Sequence, residues 1–129
     1  MSGKKLPAPE QPLERPAGPL RVAVESPFAP GPMGDETTHV EYARRALAHS
    51  LSRGEAPLAS HLLYPQVLAD TDPRERAQGI AAGIAWARCA DLTAAYIDYG
   101  VSPGMKAAID AAQAAQQPIE FRLIGRNRT

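Results

Sequence analysis

The segment best equipped for chemistry is Gly100-Val-Ser-Pro-Gly-Met105. Gly100 permits an unusual turn, Ser102 supplies a hydroxyl that can cap a helix, and Gly104 leaves the backbone bare in the first helical turn. Backbone N–H groups near Ser102, Gly104 and Met105, with the positive end of the helix dipole, suit an anion such as a phosphate or carboxylate. Lys106 would add charge from the first turn. The same residues also read as a plain helix cap. The segment is not a nucleophile elbow, because Pro103 has no N–H to serve an oxyanion hole. Glu25 and Asp98 form a second constellation, two acids at the ends of strands. They could divide general-acid and general-base roles, or one could bind a ligand hydroxyl while the other caps a loop. His61 reads as a general base, an anion ligand or a hydrogen-bonded structural histidine. Ser26, Pro27, Tyr99 and Gly100 complete the candidate set.

Metal chemistry has weaker support. His39 and His49 lie on different faces of one helix. Asp70 and Asp72 resemble a carboxylate pair, but Asp72 is accounted for as a cap. Cys89 has no partner nearby and reads as a buried hydrophobe. No metal and no cofactor are expected. As the sole cysteine of the chain, Cys89 can form no intramolecular disulfide.

The elements that position these residues follow from periodicity and punctuation. Met1 to Pro19 is rich in proline and reads as a disordered tail, with the folded domain spanning 20–125. Leu20–Ser26 is a near-continuous apolar strand, covered on both faces. Pro27–Gly34 is a loop, and a helix runs from about Asp35 to Arg53 with Val40, Ala43, Leu47 and Leu51 as its buried stripe. Ala56–Ser60 is a short strand, followed by an apolar connector broken at Pro65. Asp72-Pro73-Arg74-Glu75 opens a helix to about Cys89, with Glu75 completing a capping box. Gly79 and Gly83 inside that helix imply that another backbone packs closely there. Leu92–Asp98 is a third strand, Ser102-Pro103 opens a helix to about Gln116, and Ile119–Ile124 is the last strand. This β-α-β-α-β-α-β alternation predicts a small, doubly wound α/β fold with a parallel, flavodoxin-like sheet of order 2-1-3-4. Ligands of such sheets bind beyond the carboxyl ends of the strands. That rule gathers Glu25, Ser26, Pro27, His61, Asp98, Tyr99 and Gly100 beside Ser102.

Composition narrows the function classes. The 129 residues hold 14 Lys and Arg against 14 Asp and Glu, without the basic excess that phosphate-backbone binding requires. Aromatics are only 5%, too few for single-strand stacking platforms, so no nucleic-acid partner is expected. No apolar run approaches the ~20 residues of a membrane span, and no apolar stretch follows Lys4 and Lys5. The expected location is the cytoplasm, away from membranes.

Several segments together carry a resemblance: Ser26-Pro27-Phe28, Ser60-His61-Leu62-Leu63-Tyr64-Pro65-Gln66, Asp72-Pro73-Arg74-Glu75-Arg76, Cys89-Ala90-Asp91 and Gly100 to Met105. The chain resembles, over about Leu20 to Ile124, an uncharacterised bacterial and phage domain family. That family is similar to the nucleoside 2-deoxyribosyltransferases and nucleotide N-glycosidases. The resemblance implies a nucleoside or nucleotide at the strand ends, and pockets often completed across subunits. It also implies a catalytic glutamate where this chain has Lys106, an aspartate where it has Gly83, and a tyrosine where it has Ala23. Ala108 likewise stands where closer relatives tend to have an acid. The standard catalytic set is missing, and only Glu25 or Asp98 could substitute. The leading expectation is therefore a binder of a nucleotide-like small molecule. The alternatives are an N-glycosidase or deoxyribosyltransferase using Glu25 or Asp98, and a protein-interaction module. A homo-oligomer, most simply a dimer, is expected, with Trp86 facing the partner subunit.

Overall fold

The structure is a computed structural model and describes residues 18–126. Most of the expected tail, 1–17, lies outside the described residues. Strand β1 (Arg21–Glu25), helix α1 (Glu36–Ser52), strand β2 (Ala56–Leu58), helix α2 (Pro73–Ala87), strand β3 (Leu92–Tyr96), helix α3 (Pro103–Ala114) and strand β4 (Ile119–Arg122) follow one another. The four strands form one parallel sheet in the order β2-β1-β3-β4. This is the flavodoxin-like order expected from the alternation of elements.

Each strand is two residues shorter than expected: β1 loses one at each end, and the other three end early where the chain leaves the sheet. Pro57 sits in β2, where an edge strand tolerates a residue without an N–H. Side chains alternate across the sheet. Val22 and Val24 of β1 and Ala94 and Tyr96 of β3 pack on one face against Tyr42 and Ala46 of α1. Ala95 faces the other side, against Met105 and Ile109 of α3. Helix α2 packs beside α3 and reaches β1. The domain is thus doubly wound, with one helix on one face and two on the other.

Helix α1 departs from its apolar stripe. His39, Tyr42, Ala43, Ala46 and Ser50 are buried, whereas Leu51 is 60% exposed. Val40 and Leu47 are only partly buried. Polar anchors set the rotation. Tyr42 reaches Asp98 at 2.6 Å, and His39 Nδ1 lies 3.1 Å from the Phe28 carbonyl oxygen. Ser50 donates to Glu55 at 2.7 Å. A helix turns ~100° per residue, so a shift of one position along the chain moves these groups inward and Leu51 outward.

Beneath α1, Arg122 donates through both terminal nitrogens to Glu55, each bond 2.8 Å long. It also donates to Tyr96 Oη at 3.0 Å. These guanidinium bonds hold the Glu55 carboxyl down at about 2. Arg122 is buried and Glu55 partly so, and removing either partner strands the charge of the other.

Caps behave as expected at two helices, with one correction. Asp72 accepts from the N–H groups of Arg74 (2.8 Å) and Glu75 (3.4 Å). Glu75 does not return to the Asp72 N–H but accepts from Ala69 at 2.9 Å, because the chain before the cap folds back over the helix start. Cys89 is exposed rather than buried, since it lies past the end of α2, where the helix has left the sheet. Trp86 is 58% exposed. Among the described residues no helix is long and apolar enough to cross a membrane.

Candidate functional site

A cavity of about 460 Å³ opens at the carboxyl end of β1, on the face covered by α2 and α3. Four segments wall it. The end of β1 contributes Glu25 and Ser26, and the proline-rich loop after it contributes Phe28 to Met33. The chain after β2 turns through two short 3₁₀ segments, Ser60–Leu62 and Tyr64–Gln66, and supplies Ser60, His61, Tyr64, Pro65 and Leu68. Helix α2 adds Glu75, Arg76, Gly79, Ile80 and Ile84, and α3 adds Ser102 to Met105 and Ala108. The size falls within the ~300–1,000 Å³ common for small-molecule sites.

The glycines of α2 make this arrangement possible. A Cβ on Gly83 would collide with Ser60 Oγ and lie 3.1 Å from Ser60 Cβ. At Gly79 it would meet Leu68 Cδ1 at 3.4 Å and Tyr64 Cβ at 3.8 Å. The glycines therefore make room not for another backbone, as expected, but for side chains of the 60–68 segment, which forms one cavity wall.

Glu25 is the chemically distinctive group. In the parallel register it lies beside Ala95, and so points to the α2/α3 face. Surrounding protein desolvates its carboxyl and pushes its pKa up to about 7. Among the described residues nothing donates a hydrogen bond to it. Beside it, Ser26 Oγ and His61 Nε2 lie 2.6 Å apart. Burial pushes the His61 ring down to about 4, so it is neutral at physiological pH. Its Nδ1 is buried without a partner.

The remaining expected residues divide. Ser102, Gly104 and Met105 line the cavity together with Glu25, Ser26 and His61. Ser102, however, works as a cap: its Oγ accepts from the Met105 N–H at 3.2 Å, and its own N–H points to Met105 Sδ at 3.5 Å. Of the three expected anion donors, only the Gly104 N–H has no partner among the described residues. Lys106 turns outward to Asp110 at 2.7 Å.

Pro27, Asp98, Tyr99 and Gly100 do not line the cavity. Asp98 lies three residues beyond Ala95, the partner of Glu25, and therefore on the opposite face. There it accepts from Tyr42 Oη, from Ile124 N–H at 2.8 Å and from Gly125 N–H at 2.7 Å. Burial pushes its pKa up, but these hydrogen bonds outweigh burial and hold the carboxyl below its usual value. Tyr99 stacks edge-on against Tyr42 at 4.9 Å, with the Arg126 guanidinium 5.1 Å from its ring. Gly100 adopts a left-handed turn, φ +87°, and Pro27 is buried. Glu25 and Asp98 thus lie on opposite faces of the sheet.

Positions 83, 106 and 108 add no carboxylate to the cavity: Gly83 is pressed against Ser60, Lys106 is outside and Ala108 lines the wall. Sequence reasoning missed Phe28, Met33, Tyr64, Leu68, Arg76, Ile80 and Ile84. The available signal was the glycine pair of α2, which marks the face the connector must cover. Among the described residues no group of three or more His, Cys, Asp and Glu could hold a metal ion.

Fold and cavity define a small doubly wound α/β domain with its pocket at the strand ends. The chain belongs to the family described as domain of unknown function (DUF7768), which matches residues 20–122. No curated protein matches the chain.

Proposed function

We propose that this domain binds a nucleoside- or nucleotide-like small molecule in the strand-end cavity, without the glycosyl-transfer carboxylate set. The observation that carries this reading is the cavity of about 460 Å³ at the end of β1, whose apolar walls enclose one unpaired carboxyl, Glu25. Strand ends of parallel sheets are where such folds hold ligands. Phe28, Leu68, Ile80 and Ile84 supply flat and branched apolar surface for a ring. Arg76, 3.7 Å from Asp70, places a guanidinium at the cavity wall near Gly104. The resemblance to nucleoside 2-deoxyribosyltransferases and nucleotide N-glycosidases supports the same ligand class. The test is a thermal-shift screen of nucleosides, nucleotides and ADP-ribose derivatives. A ligand present at ~100 times its Kd adds about 2.7 kcal/mol of stability. Silence across the panel refutes the reading and favours a protein-interaction module.

One observation favours a catalytic second reading. A carboxyl poised at about 7 is suited to protonate a departing base, which an N-glycosidase requires. Asp98 has no part in this version, because its oxygens are committed to Tyr42, Ile124 and Gly125. Release of free base over hours, lost in Glu25→Gln, would establish it. Intact nucleosides recovered after the same incubation would exclude it.

A further inference from the structure

We infer that the ligand of this cavity presents two adjacent hydrogen-bond donors to Glu25, and that this residue selects which molecules enter. The inference deepens the ligand-binding reading and rests on it for the location of the site. It comes from accounting for the polar groups around the cavity. Ser26 and His61 satisfy each other at 2.6 Å. His61 Nδ1 is sealed within the wall and presents no surface to a ligand. Asp70 faces Arg76 at 3.7 Å, and Glu75 accepts the Ala69 N–H at 2.9 Å. Ser102 is held by Met105. The Ser60 and Tyr64 hydroxyls and the Gly104 N–H also stand at the wall, but none of them donates to Glu25, which keeps two oxygens and no donor among the described residues.

A carboxylate in apolar surroundings is costly unless donors reach it. Its two oxygens lie side by side and match two parallel donors, as an arginine fork does in protein pairs. Among the described residues no cation donates to it: the neutral ring of His61 carries no charge, and Arg76 is drawn to Asp70 at 3.7 Å. The donors must therefore come from the ligand. A ligand offering only acceptors would meet lone pairs on the ionised form and a single proton on the neutral form. Two parts of a nucleoside carry the required pair. One is the vicinal diol of a ribose. The other is the ring N–H with its neighbouring amino group on a guanine-type base. Both leave a flat apolar body to lie against Phe28, Leu68, Ile80 and Ile84.

The test is calorimetric titration of the full chain with benzamidine, a compact ring bearing two adjacent donors, and with benzoate, the same ring bearing acceptors only. Guanosine, inosine and 2′,3′-dideoxyguanosine form the second arm. At pH 8 benzamidine is expected to bind wild type, and to bind Glu25→Gln at least about tenfold more weakly. Its affinity for wild type should also fall by about tenfold per pH unit below pH 7, because Glu25, at about 7, must then lose a proton to bind. That pH profile needs no variant, so a folding defect in Glu25→Gln does not remove the test. Absent binding of benzamidine, equal binding to Glu25→Gln, a flat pH profile or a preference for benzoate each overturns the inference.

In the second arm, a weaker dideoxyguanosine identifies the diol as the donor pair, and a weaker inosine identifies the base edge. Guanosine that binds with loss in neither analogue overturns the two-donor rule. Benzamidine binding that depends on Glu25, with guanosine silent, keeps the donor rule and refutes the nucleoside reading. Guanosine binding that is indifferent to Glu25→Gln keeps the nucleoside reading and refutes the donor rule.

Discussion

Replacing Glu25 by Gln should change how stability depends on pH, with a sign opposite to that of an ordinary ion-paired acid. The Glu25 carboxyl titrates near 4.5 when exposed and near 7 in the fold. Between these values the folded protein holds a proton that the unfolded chain has released. Stability from this group is therefore fully present below pH 4.5 and lost as pH rises to 7. The loss is about 1.4 kcal/mol per pH unit, or roughly 3 kcal/mol across the window. His61 acts in the reverse direction. Its ring titrates near 6.5 when exposed and near 4 in the fold, so its burial favours folding above pH 6.5 and costs stability as pH falls towards 4.

In wild type the two slopes cancel between about pH 4.5 and 6.5. In Glu25→Gln only the His61 slope survives, and stability climbs with pH across that range. Urea unfolding of both proteins from pH 4.5 to 8 provides the assay, and the difference between them removes every other titrating group. The gap, variant minus wild type, should widen by about 3 kcal/mol between pH 4.5 and 7 and stay constant above. Parallel curves would refute the placement of Glu25 in a dehydrated, unpaired environment. Glu25 would then not select the ligand.

Other expectations follow from the same geometry. Gly83→Ala should destabilise by about 1–3 kcal/mol despite the better helix former, because Ser60 occupies the space; Ser60→Gly should restore part of the loss in urea unfolding. Gly79→Ala meets Leu68 Cδ1 and Tyr64 Cβ at ordinary van der Waals distance and should stabilise by up to about 1 kcal/mol, so equal effects at the two glycines would contradict the packing. Asp98→Ala strips acceptors from Tyr42, Ile124 and Gly125 and should cost about 2–4 kcal/mol while leaving ligand affinity unchanged. Ser102→Ala should cost about 1 kcal/mol as a lost cap, read by the shift in denaturation midpoint. Light scattering at micromolar concentration should give the mass of a dimer; a monomer mass would remove the proposal that Trp86 faces a partner.

The arrangement of elements was legible in the chain because local rules and the fold agree. Apolar runs alternate with helical spacing, Asp72 and Ser102 each precede a proline at a helix start, and right-handed crossovers leave few topologies. The glycines of α2 announced a close neighbour because a helix interior tolerates glycine poorly without a packing reason. The strand-end rule likewise gathered Glu25, Ser26, His61 and Ser102 at one end of the sheet.

Which of those residues share a cavity was decided only in three dimensions. Glu25 and Asp98 both follow apolar strands, yet strand register sets Glu25 beside Ala95 and leaves Asp98 on the far face, since side chains alternate with a period of two. The pairing of Ser26 with His61 spans 35 positions and depends on the turn after β2 bringing the histidine back to β1. The rotation of α1 came from polar contacts of His39, Tyr42 and Ser50 that an apolar stripe does not encode. Periodicity along the chain thus determined the layers and the strand order, because it is a local property. The identity of the unpaired carboxyl is a property of register and packing, and only the tertiary structure decided it.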